Sequence, residues 1–591
     1  MCNVEPAITR VGNGSTWANR ADRGHRDPHR LDPHREIDLT DDDARQPPSR
    51  TPKRGFWTRV RRVLGRRRGA VTLDSPAVTS SAPVAGENIL LISDLHLGEA
   101  CKDHSRLEYL KRANTFDEHV CQFLDHYRDH RIDDRPWRLI MGGDLLDFLQ
   151  VTMTPDGVDE ETETYGLGTR EQDSAWKLGR LMERHRQVFI YLADFIAAGH
   201  CVELIQGNHD EELFWPAVRA ALVDGLTAIC FGEERRPDLD RETFRGRIHF
   251  NSWFFHQPGL IYVEHGHRFD DFCATPPQLC PLRPQDEEEL SLPLSALAIR
   301  YFANTVPGFK THDKEHWRFP DYLRYFRGLG LRQSVSILAG YLRLNVRVIA
   351  YHLEHGRYRS EAAHEAHQRR ARELAELHGL TPAQIEALDA LGASSVMGHP
   401  LGIYAMMGLG ELSAVTGAGV SLLACLFASA PWPLALGLPV VVLAGGLSVA
   451  RWARGQFPTD IMSKLDRASA DIQKIVNVPV VAFGHSHRAV LARMPHDHRA
   501  FYVNTGNFLH PERTLHDASA PCNCPHTFAV VKTPRRYERI RPQLNRWCGV
   551  LQSPVPYTPS NTTSRSKEKP SRRFADTAQK DVVQPTPTNR V

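Results

Sequence analysis

The chain has 591 residues, enough for two or three domains or for one domain with large insertions. Its formal net charge of +3 excludes a molecule that binds polyanions over its whole surface. Eleven irregularly spaced cysteines exclude a disulfide scaffold, so we expect a reducing, cytoplasmic setting for the folded part.

Residues 1–85 are rich in Arg, Asp, Pro, Thr and Ser and poor in bulky apolar residues, which predicts a disordered tail. The first fifty residues contain no apolar core, so we expect no signal peptide. Within the tail, 53–68 carries eight basic residues and no acid, with apolar residues at roughly helical spacing. This pattern predicts an amphipathic membrane-surface helix. The alternatives are a charged linker and a nucleic-acid tail, although we expect no nucleic-acid partner.

Five short apolar runs, typical of buried strands, each lead into polar residues that can bind metal ions. The runs are 89–92, 139–141, 202–205, 260–263 and 478–483, and the polar residues after them are Asp94, His96, Asp144, Asn208, His265, His485 and His487. Because ligand sites in layered α/β folds lie beyond the carboxyl ends of strands, we expect these side chains to converge on one rim.

The seven side chains offer imidazole nitrogens and carboxylate or amide oxygens, and no thiolate. Such donors suit Mn, Fe or Zn. One shared carboxylate can bridge two ions about 3.5–4 Å apart, as two-metal sites require. The sequence therefore predicts a site for two divalent metal ions.

Between the fourth and fifth runs, residues 271–400 are expected to form a mostly helical insertion. Residues 361–378 read as a charged, Ala-rich helix. Thr381 to Gln384 has a capping-box pattern with proline at the first helical position, which predicts the start of another helix.

Residues 401–452 contain two uncharged apolar stretches, Leu412–Ala430 and Leu434–Ala450, separated by Pro-Trp-Pro. Their 19 and 17 residues are at the lower end for spanning about 30 Å of hydrocarbon. We predict a transmembrane or re-entrant helical hairpin, with Arg451 and Arg454 kept on the cytoplasmic side. The alternative is a buried helical pair in a soluble domain. Residues 470–548 are expected to complete the core begun at 86–270, and 549–591 to form a disordered tail.

Taken in order, the polar clusters resemble the motifs of the calcineurin-like metallophosphoesterase superfamily over residues 85–270 and 470–535. The matching motifs are Asp94-x-His96, Gly143-Asp144, Gly207-Asn208-His209-Asp210, His265-Gly266, Gly484-His485-x-His487 and the Thr-Gly of Asn504–Asn507. The resemblance implies a four-layer α/β fold, a β-sandwich flanked by helices, with a dinuclear metal centre.

The resemblance also implies a role for each residue. Asp94, His96 and His487 would bind the first metal, Asn208, His265 and His485 the second, and Asp144 would bridge them. His209 would contact the substrate and protonate the leaving oxygen, whereas Asp147 and Asp210 are candidates for orienting histidines. His267 competes with His265 for the fourth motif. We choose His265, which lies nearest the strand end and directly precedes glycine.

The predicted activity is hydrolysis of a phosphate ester or pyrophosphate through two metal ions and a bridging hydroxide. The motifs are also similar to those of UDP-diacylglucosamine pyrophosphatases, although His209 and the long insertion depart from that branch. The hairpin favours a lipid-linked substrate and a membrane location with the catalytic domain in the cytoplasm. A soluble nucleotide or phosphodiester, and a cytoplasmic location, are the alternatives. A membrane-tethered scaffold that binds without cutting is the alternative class.

Overall fold

The computed structural model describes residues 86–98, 106–232, 238–284, 286–306, 328, 330–355, 361–457, 460–508, 524, 526–535 and 538–557. The predicted N-terminal tail up to residue 85, with its basic segment 53–68, lies outside the described residues. The predicted C-terminal tail lies outside them from residue 558 onward. The eight cysteines within the described ranges are free thiols.

The described chain contains sixteen strands. They are β1 (Asn88–Ile92), β2 (Leu97–Gly98), β3 (Trp137–Met141), β4 (Leu146–Asp147), β5 (Cys201–Ile205), β6 (Ile248–Asn251), β7 (Phe254–Gln257), β8 (Ile261–Glu264), β9 (Leu282–Arg283), β10 (Asp286–Leu290), β11 (Val480–Phe483), β12 (Ala489–Arg493), β13 (Phe501–Thr505), β14 (Thr527–Val531), β15 (Gln543–Cys548) and β16 (Ser553–Pro556).

Fourteen α-helices lie within the same ranges. They are α1 (Arg106–Asp129), α2 (Glu160–Tyr165), α3 (Glu171–Arg184), α4 (Arg186–Ala197), α5 (Pro216–Phe231), α6 (Arg241–Arg245), α7 (Leu294–Tyr301), α8 (Leu331–His355), α9 (Glu361–Leu377), α10 (Pro382–Asp389), α11 (Pro400–Met406), α12 (Leu409–Phe427), α13 (Trp432–Gly455) and α14 (Ile461–Val476).

Most of the strands form two mixed sheets. The larger has the order β16-β15-β14-β1-β3-β5-β6, in which β1, β3, β5 and β6 run parallel to one another. The smaller has the order β12-β13-β11-β8-β7, with β8, β11 and β13 parallel. Each sheet therefore has a parallel centre whose strands end on a common edge, as the five apolar runs predicted.

Alternate residues of the central strands enter different parts of the core. Ile89 and Leu91 of β1 share one buried cluster with Val480 and Ala482 of β11, so the two sheets pack face to face. Leu90 and its neighbours on the other face pack against helices α1, α3, α4 and α5. The outer face of the smaller sheet packs against α9, α10 and α14. The mixed α/β class predicted from the sequence is confirmed.

The segment between β8 and β11 contains α7 to α14 and one short ribbon, β9–β10. Helix α9 starts at Glu361, as predicted, and α10 has the predicted capping box between Thr381 and Gln384. The ribbon was not predicted, because the acidic sequence of Asp286–Leu290 lacks the apolar alternation of a strand. Leu344, Val348 and Ile403 help to join α7, α8 and α11 in a separate buried cluster.

Helices α12 and α13 form an antiparallel apolar hairpin with a short link. Both helices are long and apolar enough to cross a membrane. Their apolar windows have mean hydropathies of 1.6 and 2.0, and only 17% and 11% of them is buried. The predicted alternative of a buried helical pair does not fit that exposure. Close contact between Gly446 and Ala414 and between Gly410 and Ala450 brings the two helices together through small residues.

Two predicted boundaries are wrong. Helix α13 begins at Trp432 and not at Leu434, because a proline in the first turn lacks only an N–H that would be unpaired there anyway. At the C-terminus, β16 pairs antiparallel with β15, so the segment predicted as a disordered tail from 549 belongs to the fold up to 557. This strand was not predicted because it contains Pro554 and Pro556. Proline is tolerated on an edge strand, which β16 is, but argues against a central strand.

Candidate metal centre

The predicted ligands lie at one rim, beyond the ends of the parallel strands. Asp94 and His96 follow β1, Asp144 follows β3, and Asn208 follows β5 in the larger sheet. From the smaller sheet, His265 follows β8, and His485 and His487 follow β11. Because the sheets pack face to face, residues nearly 400 positions apart meet at this edge.

The first group of candidate ligands is Asp94, His96 and His487, whose donor atoms lie within 4.8 Å of one another. His487 Nε2 lies 3.2 Å from Asp94 Oδ1 and 3.2 Å from His96 Nε2. Three N and O donors at this spacing can surround one cation. This group is the trio that the sequence assigned to the first metal.

Asp144 takes part in two further groups of candidate ligands. It groups with Asp94 and His265, and separately with His96 and His209. Its Oδ2 lies 3.1 Å from His265 Nε2 and 3.7 Å from His96 Nε2. Asp144 therefore sits between the two predicted ligand sets, which is the position that a shared carboxylate needs.

Asn208 supplies an independent sign of a cation site. Its Oδ1 is buried and has no hydrogen-bond partner among the described residues. A buried amide oxygen without a partner costs about 1–3 kcal/mol, whereas a cation would satisfy it. The neighbouring Gly207 allows the close approach, because a Cβ there would collide with the Asp144 carboxylate and lie 2.6 Å from Asp144 N. The residues present therefore fit a metal.

His485 is the predicted ligand that the structure places differently. Its Nε2 lies 3.3 Å from Asp270 Oδ2, and it groups with Asp270 and Cys273 rather than with Asp144. Its ring centroid is 5.2 Å from that of His265, and its backbone N–H donates to the Asp94 carboxylate. His485 thus lines the rim beside the second ligand set, with Asp270 on its Nε2 side.

Sequence reasoning missed Asp270 and Cys273. They follow His267 at intervals of three residues, directly after the fourth motif, and that proximity was the signal available. A short 3₁₀ helix, His267–Phe269, turns the chain back so that Asp270 faces His485.

The backbone is strained at these residues. Asp94, His96, Asp144, His485 and His487 all have left-handed φ values, between 47° and 63°. They make up five of the ten non-glycine residues with positive φ in the described chain, so the strain is concentrated here. Each such residue costs about 1–2 kcal/mol, and strain of this kind gathers at functional sites.

Asp147 lies beside the two histidines His96 and His209, where a residue that orients histidines was predicted. Its buried Oδ2 lies 3.4 Å from His96 Nδ1 and 3.1 Å from His209 Nδ1. The ring of His209 meets that of His96 edge-on at 4.5 Å. A carboxylate on the outer nitrogen fixes which nitrogen of each imidazole faces the rim.

The prediction that Asp210 orients a histidine is wrong. Its carboxylate accepts hydrogen bonds from the backbone N–H groups of Leu145, at 2.9 Å, and Gly207, at 2.6 Å. It therefore fastens the loop after β3 to the loop after β5. Burial, followed by repulsion from Asp144, raises the pKa of Asp210 to about 7.

Charge complementarity holds the centre together. Burial alone would raise the pKa of Asp144, but the imidazoles of His265 and His209 bring it well below its usual value. Burial likewise opposes protonation of His265, but Asp144 raises the pKa of this imidazole to about 9. A bound cation would compete with a proton on His265, because an imidazole must be deprotonated to bind a metal ion.

His265, and not His267, contacts Asp144. The His267 ring lies 5.4 Å from His265 and 6.5 Å from His485, and it belongs to none of the ligand groups found in the described residues. Its Nδ1 is buried without a hydrogen-bond partner in the same ranges. Burial and the two neighbouring imidazoles lower the pKa of His267 well below its usual value, so it stays neutral behind the rim.

No protein-family model, no curated protein and no solved structure matches the chain. What the fold and the site define is a mixed α/β protein with residue groups able to hold metal ions and with two apolar helices long enough to cross a membrane.

Proposed function

We propose that the chain is a metal-dependent phosphoesterase that hydrolyses a phosphate ester or pyrophosphate at a two-metal centre. The observation that carries the proposal is the position of the Asp144 carboxylate between His96, at 3.7 Å, and His265, at 3.1 Å. Its burial and its low pKa suit a permanently ionised ligand shared by two cations.

The layered fold supports assignment to the calcineurin-like metallophosphoesterases. Two sheets packed face to face, with helices on both outer surfaces, agree with the architecture that the motif resemblance implies. The polar clusters occur in the order that the resemblance requires, and each follows a strand that ends at the shared rim.

Two divalent ions would divide the ligands around Asp144. Asp94, His96 and His487 would hold one ion, and Asn208, His265 and His485 the other. This mixture of imidazole, carboxylate and amide donors suits Mn, Fe or Zn. When bound, such ions supply an activated water and neutralise the charge of the phosphoryl group.

His209 is the candidate general acid. Asp147 Oδ2 lies 3.1 Å from its Nδ1, and a carboxylate there can fix the orientation of the ring. The other nitrogen, Nε2, can then donate a proton to the departing oxygen. The backbone N–H of His209 donates to Asp144 Oδ1 at 2.9 Å, which holds the loop that carries His209 beside the proposed shared ligand.

The hairpin supports a membrane-linked substrate. Val396 N donates to Asp271 O, and Ala393 N donates to Arg268 O, so the insertion is hydrogen-bonded to the segment that carries Asp270. The same insertion leads through α11 into α12. A phosphate on a lipid anchor would then meet the rim from the hairpin side, with Arg451 and Arg454 in the cytoplasm.

The test is metal analysis of the purified chain, followed by hydrolysis assays on phosphomonoesters, phosphodiesters and lipid pyrophosphates with Mn²⁺ in detergent. We expect about two metal ions per chain. Asp144→Asn should lose both ions and more than about a hundredfold of the turnover, because the shared negative charge is gone. Asp156→Asn is the control, since this carboxylate is exposed and belongs to none of the candidate ligand groups of the described residues. Full activity of Asp144→Asn would refute the proposal.

A further inference from the structure

Helix α8 exposes a continuous stripe of large aliphatic side chains. Six residues at intervals of three or four positions are each 40% to 67% exposed, namely Val335, Leu338, Leu342, Val346, Ile349 and Leu353. At 1.5 Å per residue the stripe is roughly 27 Å long. Soluble surfaces rarely carry a contiguous apolar patch of this kind unless a partner covers it.

The opposite face of α8 fixes the direction of the stripe. Leu344 and Val348 are buried in a cluster with Leu294 of α7 and Ile403 of α11. Tyr351 accepts a hydrogen bond from the backbone of Leu292. The helix therefore cannot rotate to bury its exposed stripe without losing this packing.

Most of the charged residues of α8 are basic, and the only acid within Leu331–His355 is Glu354 in the last turn. From Leu331 to Leu353 the helix contains no acidic residue, and Arg332 and Arg343 are exposed along one edge of the stripe. The third arginine, Arg347, pairs with Glu161. An apolar face with arginines at its margin matches the boundary between anionic lipid headgroups and acyl chains.

Helix α8 is joined to the base of the hairpin on the side away from the stripe. The Tyr341 hydroxyl donates to the carbonyl of Met407, and α12 begins two residues later at Leu409. Met407 shares the buried cluster with Leu344, which lies two residues after Leu342 on the opposite side of α8. Helix α8 and the hairpin are thus held together by one packed junction.

We propose that α8 lies in the interface of an anionic bilayer, with its aliphatic stripe inserted at the level of the headgroups. The helix would hold the protein against the membrane beside the hairpin and keep the metal rim near the lipid surface. This inference rests on the membrane location within the proposed function, and it is independent of the metal chemistry.

The test is photocrosslinking of the full chain, reconstituted into vesicles of phosphatidylcholine with or without phosphatidylglycerol. Benzoylphenylalanine replaces Val346 in the stripe, or Ser336 on the polar side of the same helix as the matched control. A third variant carries it at Leu423 on the exposed surface of α12 and reports hairpin insertion. Adducts are identified by mass spectrometry.

We expect lipid adducts at positions 346 and 423 and severalfold fewer at 336. Removing phosphatidylglycerol, or introducing Arg332→Gln with Arg343→Gln, should reduce the yield at 346 and leave that at 423 unchanged. Lipid adducts at 423 with only protein adducts at 346, between two copies or within one chain, would overturn the α8 inference and leave the hairpin in the membrane. Absence of lipid adducts at both positions would overturn the membrane location as well.

Discussion

At the residue scale, the centre depends on side chains that hold others in place. Asp147 contacts both His96 and His209, and Asp210 ties two ligand loops together through backbone N–H groups. Five candidate ligands have strained φ values, and such a backbone persists only where surrounding contacts hold it in place. Substitution of residues that touch no substrate should therefore change metal binding or activity.

His209→Ala should separate chemistry from metal binding. We expect turnover to fall by about 10²–10⁴-fold for substrates with a poor leaving group, because the general acid is lost. Metal content should stay near that of the wild type. An aryl phosphate with an acidic leaving group is the control, since it needs little protonation and should lose far less. Equal losses on both substrates, measured as kcat, would contradict the assignment.

Asp270→Asn tests a positioning role. The carboxylate contacts His485 Nε2, so its loss should loosen this ligand and weaken Mn²⁺ binding about 10–100-fold. The measurement is the Mn²⁺ concentration that gives half-maximal hydrolysis. Asp271→Asn is the matched control, because this adjacent carboxylate pairs with Lys464 instead. The same Mn²⁺ dependence in both variants would rule out a special role for Asp270.

At the element scale, the apolar strands and the polar residues that follow them were predictable from the sequence. A short apolar run such as 89–92, followed by a polar residue such as Asp94, is typical of a buried strand that ends at a ligand site. The direction of the His485 side chain was not, since it depends on Asp270 arriving from another segment. The start of α13 was missed because Trp432 and Pro433 fit the first turn of a helix as well as a loop.

Removal of the hairpin should separate two activities. Gly410 and Ala450 lie side by side, so a short Gly/Ser linker can replace 411–449 without stretching the chain. We expect the shortened protein to hydrolyse water-soluble esters at the wild-type rate and to lose activity on lipid-linked substrates in vesicles. Unchanged activity on vesicles would contradict a membrane-linked substrate. Loss of both activities, with intact metal content, would place the hairpin in the catalytic mechanism itself.

At the scale of the whole molecule, the centre exists only when both sheets are assembled. Asp94 and Asp144 come from the larger sheet, and His265 and His487 come from the smaller one. The insertion and the hairpin enter between the third and fourth of these residues, yet they leave the sheet interface intact. The apolar helices can thus be inserted in the chain without disrupting the packing of the two sheets.

The most direct test is anomalous scattering from crystals of the Mn²⁺-loaded protein. We expect two peaks about 3.5–4 Å apart, one on each side of the Asp144 carboxylate. The first should lie among Asp94, His96 and His487, and the second beside Asn208 and His265. A rim without any peak, or a single peak beside Asp270 and Cys273, would contradict the two-metal centre.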